Sequence, residues 1–330
     1  MLKGLYLLDP SAFDRIYGEA ERAAIAELVD IYAPLQTAES IAAQPEVLGD
    51  AEVIFSGWGM AKMDEPFLAA APRLRIVFYG AGSIRYFVTE ASWDRGVRVT
   101  SAYAANAVPV SEYTLSQILF GLKRGWYHAL TIKQRRAWMR PVDVPGAYGS
   151  TVGIISLGMI GRLVVERLKP FDVHILAYDP YVGPEDAAKL GVELCSLEEV
   201  FRRADVVSLH TPKLPETLGM IRGSHFAVMK PGATFINTAR GAVVREDEMI
   251  EVLRDRPDLY AILDVTDPEP PVPDSPLYTL PNVVLTPHIA GSLGPECRRM
   301  GRYMVEELQR YVAGRPLKWE ISRERARILA

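Results

Sequence analysis

Arg240 in Ile-Asn-Thr-Ala-Arg-Gly (236–241), Glu269 in Asp-Val-Thr-Asp-Pro-Glu-Pro (264–270) and His288 in Leu-Thr-Pro-His-Ile-Ala-Gly (285–291) follow one another in the second half of the chain. A guanidinium grips a carboxylate bidentately and stays charged at any working pH. An imidazole exchanges a proton near neutrality, and a carboxylate beside it favours the charged ring and fixes its tautomer. A cation, an acid and an imidazole are what a site needs to hold an α-keto or α-hydroxy acid and move its hydroxyl proton. Any one of them alone is more often a surface or structural residue. Asp267, two residues before Glu269, is a rival for the carboxylate role.

Upstream, Ser-Leu-Gly-Met-Ile-Gly (156–161) follows an apolar run and opens a helical pattern. The dinucleotide fingerprint is G-x-G-x-x-G; here Ser156 holds its first position, while Gly158 and Gly161 hold the other two. Gly158 lets the backbone approach a pyrophosphate and Gly161 lets the helix pack on the strand. The N–H groups at the helix start, Met159 and Ile160 among them, face the phosphates with the positive end of the helix dipole. The next apolar run ends in Asp179-Pro180, about twenty residues past the loop, where an acid binds the adenosine ribose hydroxyls. A carboxylate there repels a 2'-phosphate, so the expected cofactor is NAD (NADH) over NADP. The plain alternative for Asp179 is a strand-end turn, since Asp-Pro is common in turns.

These residues need elements to position them. Short apolar runs alternate with longer amphipathic ones, the pattern of β-α-β units and parallel sheets. Strands are expected at 4–8, 52–56, 75–79 and 97–101, with helical stretches at 12–29 and 66–70. A long helix is expected over 110–136, where Tyr113, Leu115, Ile118, Leu119, Leu122, Trp126 and Leu130 recur at spacings of three and four, as on a buried stripe. Trp126, Tyr127 and Trp138 could instead line a dimer surface. A second series places strands at 151–156, 173–178, 206–209, 234–237, 260–264 and 283–285, before a last helix over 295–312 and a polar tail. The expected fold is α/β: two doubly wound parallel-sheet domains with a cleft between them.

The chain has 330 residues, suited to two domains of about 150 residues each. A net charge of −4 and a pI near 5.8 give no basic field to attract nucleic acid or anionic lipid. Cys195 and Cys297 make neither a disulfide framework nor a metal site and suit a reducing compartment. No apolar run approaches the ~18 residues of a membrane helix, and residues 1–14 read as a first strand and turn rather than a signal peptide. The expectation is a cytoplasmic protein with no metal, no membrane partner and no nucleic-acid partner.

His-Thr-Pro-Lys-Leu-Pro-Glu-Thr (210–217) and Met-Lys-Pro-Gly-Ala-Thr-Phe-Ile-Asn-Thr-Ala-Arg-Gly (229–241), with the 264–270 and 285–291 segments, closely resemble the D-isomer-specific 2-hydroxyacid dehydrogenases. That family includes glyoxylate/hydroxypyruvate reductases and phosphoglycerate dehydrogenase-like enzymes. The resemblance covers nearly the whole chain and is most specific from 150 to 292. It implies a discontinuous, flavodoxin-like substrate-binding domain (1–105 and 295–330), a Rossmann NAD-binding domain (106–294), NAD in the cleft, and a homodimer built around the long helix. It also leaves no room for a serine-sensing regulatory domain at the C-terminus.

By the same resemblance, Arg240 binds the carboxylate and carbonyl oxygen of a small 2-keto or 2-hydroxy acid. His288 moves the proton and Glu269, which immediately precedes Pro270, is its partner. Thr211, Pro212, Thr217, Thr238, Ala239, Arg240, Asp264, His288 and Gly291 line the cofactor, with Asp264 on the nicotinamide amide. Gly80, Ala81 and Gly82 present N–H groups to the substrate carboxylate. The acid that usually follows this loop is absent, and Ser83-Ile84-Arg85 stands there. Ser83 would cap the next helix, Arg85 would read a second acidic group, and Trp58, Tyr79 and Tyr103 are candidates for the substrate wall. A formate dehydrogenase is disfavoured by Glu269, a proton-relay partner that reaction does not need. The rival class is an NAD(H)-sensing, corepressor-like binding protein with little turnover; the lack of long disordered tails and of a basic surface weighs against it.

Overall fold

The computed structural model describes residues 1–328. The first stretch runs β1 (Leu2–Leu7), α1 (Pro10–Ile16), α2 (Glu19–Ala26), β2 (Val29–Ile31), α3 (Ala38–Ala43), β3 (Val53–Ser56), α4 (Glu65–Ala70), β4 (Ile76–Tyr79), α5 (Glu90–Asp94) and β5 (Arg98–Ser101). There follow α6 (Tyr103–Leu122), α7 (Gly125–Arg135), β6 (Ser150–Ile155), α8 (Met159–Leu168), β7 (Val173–Tyr178), α9 (Pro184–Leu190), β8 (Glu193–Leu194), α10 (Leu197–Arg203), β9 (Val206–Leu209), α11 (Gly223–Ala227), β10 (Thr234–Asn237), α12 (Glu246–Asp255), β11 (Tyr260–Leu263) and β12 (Val283–Leu285). The chain ends with α13 (Cys297–Val312) and α14 (Arg323–Ala326).

Two compact units result, one of Met1–Asn106 with the segment from Ser292 onward, the other of Ala107–Gly291. The sequence places the divisions at 105/106 and 294/295. Ser292 falls with the first unit, where its N–H donates to Asn106 Oδ1 at 2.8 Å.

In the first unit the strands order β2-β1-β3-β4-β5, all parallel, the flavodoxin-like order. Strand alternation feeds two cores: Leu5, Leu7, Ile54 and Val77 enter one, while Tyr6, Leu8, Phe55 and Phe78 enter the other with Met300, Met304 and Leu308 of α13. The helix expected over 12–29 is broken. Tyr17 turns inward, fully buried, and donates its hydroxyl to Ser56 O at 2.7 Å. Gly18 then packs so tightly that an added Cβ would meet the Arg298 guanidinium, and the expected span is taken up by α1 and α2, with β2 starting at Val29.

The polar tail also has a structural role. Ser101 N–H donates to Trp319 O (3.0 Å) and Ile321 N–H to Val99 O (2.9 Å), so the tail covers the exposed edge of β5. Glu307 of α13 is fully buried and accepts the N–H groups of Lys318 and Trp319, each at 3.0 Å.

In the second unit the order is β12-β11-β10-β9-β6-β7-β8, again all parallel. The sense of strand order reverses between β6 and β9, the point where open α/β sheets bind ligands at the carboxyl ends of their strands. Val207, Leu209, Phe235, Ala261 and Leu263 fill one face; Val152, Ile154, Val206, Ile236 and Ile262 fill the other. The single long helix expected over 110–136 is two helices. Arg124 adopts a left-handed conformation, φ 48°, and donates to Pro231 O at 2.9 Å. The buried stripe ends at Leu122, and α7 buries no residue. Among the described residues no helix is long and apolar enough to cross a membrane.

Candidate active site

The β6–α8 turn is built for close approach. Ser156 sits at φ 78°, a region that costs a side-chain-bearing residue about 1–2 kcal/mol. A Cβ on Gly161 would lie 2.1 Å from Ser156 O, whereas one on Gly158 would meet nothing within 4 Å. Gly161 is therefore required by helix–strand packing, and Gly158 leaves open space above the turn. Arg162 N–H makes the first intrahelical bond, to Gly158 O at 3.0 Å, so the N–H groups of Met159 and Ile160 are among the unpaired donors of this helix end. Asp179 accepts Leu157 N–H (2.7 Å) on one oxygen and Tyr181 N–H (2.8 Å) on the other, which fixes the carboxylate beside the turn. Open space, free donors and a fixed acceptor fit a dinucleotide. Ser156→Gly removes the side-chain strain against the larger unfolded-state entropy of glycine, and is expected to raise stability in urea unfolding by about 0.5–1 kcal/mol.

At the end of β9, His210 is buried, with Nε2 3.0 Å from Ser208 Oγ and Nδ1 without a partner among the described residues. Burial pushes its pKa down to about 3, so the ring is neutral. The unfolded ring takes up a proton below about 6.5 and the folded one does not. The stability His210 contributes is thus complete above about 6.5 and lost as pH falls from there toward about 3. The slope is about 1.4 kcal/mol per pH unit, or about 2 kcal/mol between pH 6.5 and 5. Urea titrations at those two pH values are expected to show that loss in the parent protein and less of it in His210→Gln. Thr211 and Pro212 follow on the loop, and the Thr217 hydroxyl closes that loop by donating to Pro212 O at 2.6 Å.

β10 delivers Arg240. The buried Asn237 side chain shapes the turn: its Oδ1 accepts Ala239 N–H (3.0 Å) and its Nδ2 donates to Arg240 O (3.1 Å). Thr238 Oγ1 lies 3.2 Å from Thr114 Oγ1. The Arg240 guanidinium donates to Ala239 O at 2.6 Å and makes no salt bridge among the described residues. Its burial lowers its pKa, with Glu269 close enough to oppose the shift. Gly241 brings this turn against the next segment, since a Cβ there would sit 2.0 Å from the Thr266 carbonyl carbon.

β11 and β12 bring Glu269 and His288 together, His288 Nδ1 to Glu269 Oε1 at 2.6 Å. Glu269, not Asp267, is the carboxylate that meets the ring; the Asp267 backbone N–H donates to Glu246 Oε2 at 3.1 Å. His288 has φ 55° and is exposed. Asp264, buried at the end of β11, accepts Thr286 O–H (2.6 Å) and Ile289 N–H (2.8 Å) on Oδ1 and Ala290 N–H (2.8 Å) on Oδ2. Gly291 ends this turn at the division between the units. Asn237 and Thr286 are site-shaping residues that sequence reasoning missed; a polar residue at or just past a strand end, beside a motif, was the available signal.

In the first unit, the loop after β4 differs in detail from expectation. Gly80 N–H is used by Ser56 O at 2.7 Å, so it is not a free donor. No acceptor meets the N–H groups of Ala81 and Gly82 among the described residues, and the Ser101 hydroxyl lies 2.9 Å and 2.6 Å from their carbonyls. Ser83 caps no helix, because α5 is capped by Thr89. Arg85 donates to Arg327 O at 2.8 Å in the C-terminal tail. Tyr79 is fully buried with its hydroxyl on Tyr86, which removes it from any wall. Tyr103 packs against Trp319 and the Arg325 guanidinium, and Trp58 lies under Arg15.

The model of the D-isomer specific 2-hydroxyacid dehydrogenase NAD binding domain matches residues 117–290. D-3-phosphoglycerate dehydrogenase of Mycobacterium leprae is 37% identical over 83% of this chain and 51% of its own. (S)-sulfolactate dehydrogenase of Chromohalobacter salexigens is 34% identical over 76% of this chain and 81% of its own. The chain belongs to the D-isomer specific 2-hydroxyacid dehydrogenases. It spans about half the length of the mycobacterial relative. Among solved structures, a phosphoglycerate oxidoreductase from Rhizobium etli superposes with a TM-score of 0.82 at 25% identity, covering 98% of this chain and 99% of that one. The family model places NAD binding in the unit that carries the glycine turn, Arg240, Glu269 and His288.

Proposed function

We propose that the protein is an NAD-dependent dehydrogenase that interconverts a small 2-keto acid and its D-2-hydroxy acid. The observation that carries the reading is a half-buried guanidinium, Arg240, that makes no salt bridge among the described residues, at the same carboxyl end of the sheet as a histidine–carboxylate pair 2.6 Å apart. A partly desolvated cation without a bonded counter-ion marks a place for an anion. The N–H groups at the start of α8 and the Asp179 carboxylate hold NAD, which supplies or accepts the hydride. Arg240 binds the substrate carboxylate and carbonyl oxygen, drawing charge from the reacting carbon. His288 gives its Nε2 proton to that oxygen in reduction and takes it back in oxidation. Glu269 holds Nδ1–H, so Nε2 faces the substrate with the right protonation.

Asp179 sets the cofactor. Like charges placed together cost several kcal/mol, so NADH is expected to outperform NADPH by about 100-fold in kcat/KM, and Asp179→Ser to narrow the gap to about tenfold or less. A keto-acid panel assayed with both cofactors tests the reading. NADH bound but oxidised by no member would point instead to an NAD-sensing protein.

The exposed α7 and the segment after it, with Trp138 87% and Tyr148 87% exposed, support a homodimer built on this arm. The two unpaired cysteines suit the cytoplasm.

A further inference from the structure

The left-handed backbone of His288, φ 55°, is uncommon for a residue with a side chain, although histidine enters it more often than most. The group that holds this turn is Asp264. Its carbonyl accepts His288 N–H at 3.0 Å, and its carboxylate gathers the next two N–H groups, Ile289 and Ala290, each at 2.8 Å. Asp264 is 2% exposed and makes no ion pair among the described residues, so hydrogen bonds alone hold its charge in place.

One of those bonds comes from Thr286, whose Oγ1 is 2.6 Å from Asp264 Oδ1. An ionised carboxylate only accepts, so Thr286 is the donor. Its single proton is thereby used, and its oxygen is left to accept from Tyr113, whose hydroxyl lies 3.0 Å away on α6. Burial and the nearby Asp264 charge raise the Tyr113 pKa, which keeps that proton on the phenol. The bonds therefore run in one direction, phenol to threonine to carboxylate, each polarising the next.

We propose that Thr286 and Tyr113 are positioning residues for the reaction, a hydroxyl chain from α6 that orients Asp264 and so fixes the turn presenting His288. This rests on the reading of His288 as the proton carrier. The chain differs from the Glu269 contact in what it controls: Glu269 holds the ring, and Tyr113–Thr286–Asp264 hold the backbone beneath it. Misplacing a reacting group by about 1 Å can cost about 10²-fold in rate.

The test compares Thr286→Val, Thr286→Ser and Tyr113→Phe with the parent protein, in turnover of the best keto acid of the panel and in the ¹⁵N imidazole spectrum, with the His288 signals assigned by their loss in His288→Asn. Thr286→Val is expected to lower kcat about 10²-fold with KM changed less than about threefold, and Tyr113→Phe to lower it about tenfold. In both variants the His288 signals shift or broaden, and Thr286→Ser restores rate and spectrum. Tyr113→Phe changes no shape beyond one oxygen, so it remains informative if Thr286→Val fails to fold. An unchanged His288 spectrum in folded Tyr113→Phe and Thr286→Val, or no rescue by serine, overturns the proposal. The spectrum is read without turnover. A His288→Asn variant as active as the parent would instead overturn the catalytic reading of His288, and is distinguishable from failure of the hydroxyl chain.

Discussion

On the proposed reading, Arg240→Ala is expected to lower kcat/KM for a 2-keto acid about 10³-fold while leaving NADH affinity within about threefold. The guanidinium offers two parallel donors to a carboxylate and a charge beside the carbonyl oxygen, and alanine offers neither. Arg240→Lys recovers only part of the loss, because an ammonium is a point charge that cannot reproduce the planar fork. The residual defect is expected to be about 10²-fold. Stability should move the other way. Arg240 is half-buried and makes no salt bridge among the described residues, so Arg240→Met is expected to unfold at an equal or higher urea concentration. A group that weakens the fold and is retained for binding behaves in this way. Steady-state kinetics and urea titration on the same samples check both halves. A large loss of stability with unaltered kcat/KM would make Arg240 a structural residue.

The second large effect is at His288. His288→Asn is expected to lower kcat about 10³-fold in both directions, within the range for loss of a general acid–base group. Asparagine is the informative replacement, because it tolerates the left-handed backbone that His288 occupies at φ 55°, so the turn survives and only the proton carrier is lost. Glu269→Gln is milder: it keeps a hydrogen-bonding partner for Nδ1 but removes the carboxylate that orients the ring at 2.6 Å. It is expected to lower kcat about 10²-fold while the urea midpoint stays near that of the parent. An unchanged kcat in Glu269→Gln would remove Glu269 from the proton relay.

Much of this arrangement was legible because parallel sheets place their chemistry at the carboxyl ends of strands. The residues just past β6, β10 and β12 could be read from apolar runs that end in a glycine turn, in Arg240 and in His288. The fold followed from the alternation of such runs with amphipathic ones, and both parallel sheets are present. What could not be read depended on partners far away in the chain. Tyr113 looks like one more apolar position on a helical stripe until Thr286, 173 residues later, meets its hydroxyl. The break between α6 and α7 was hidden for the same reason, because the carbonyl that engages the Arg124 guanidinium belongs to Pro231. The helix expected over 12–29 did carry a local sign, Gly18, but the inward pull on Tyr17 comes from the carbonyls of Ser56 and Phe78. In the β4 loop the Gly80 N–H goes to Ser56 O, a neighbour-strand bond that no local pattern reveals.

Transfer of deuterium tests the central claim most directly. NADH carrying deuterium at the transferred position, incubated with the best keto acid of the panel, is expected to give a D-2-hydroxy acid with one deuterium at C2, and Arg240→Ala and His288→Asn are each expected to reduce its formation about 10³-fold. A product without deuterium at C2, an L-configured product, or undiminished formation by either variant would contradict the account.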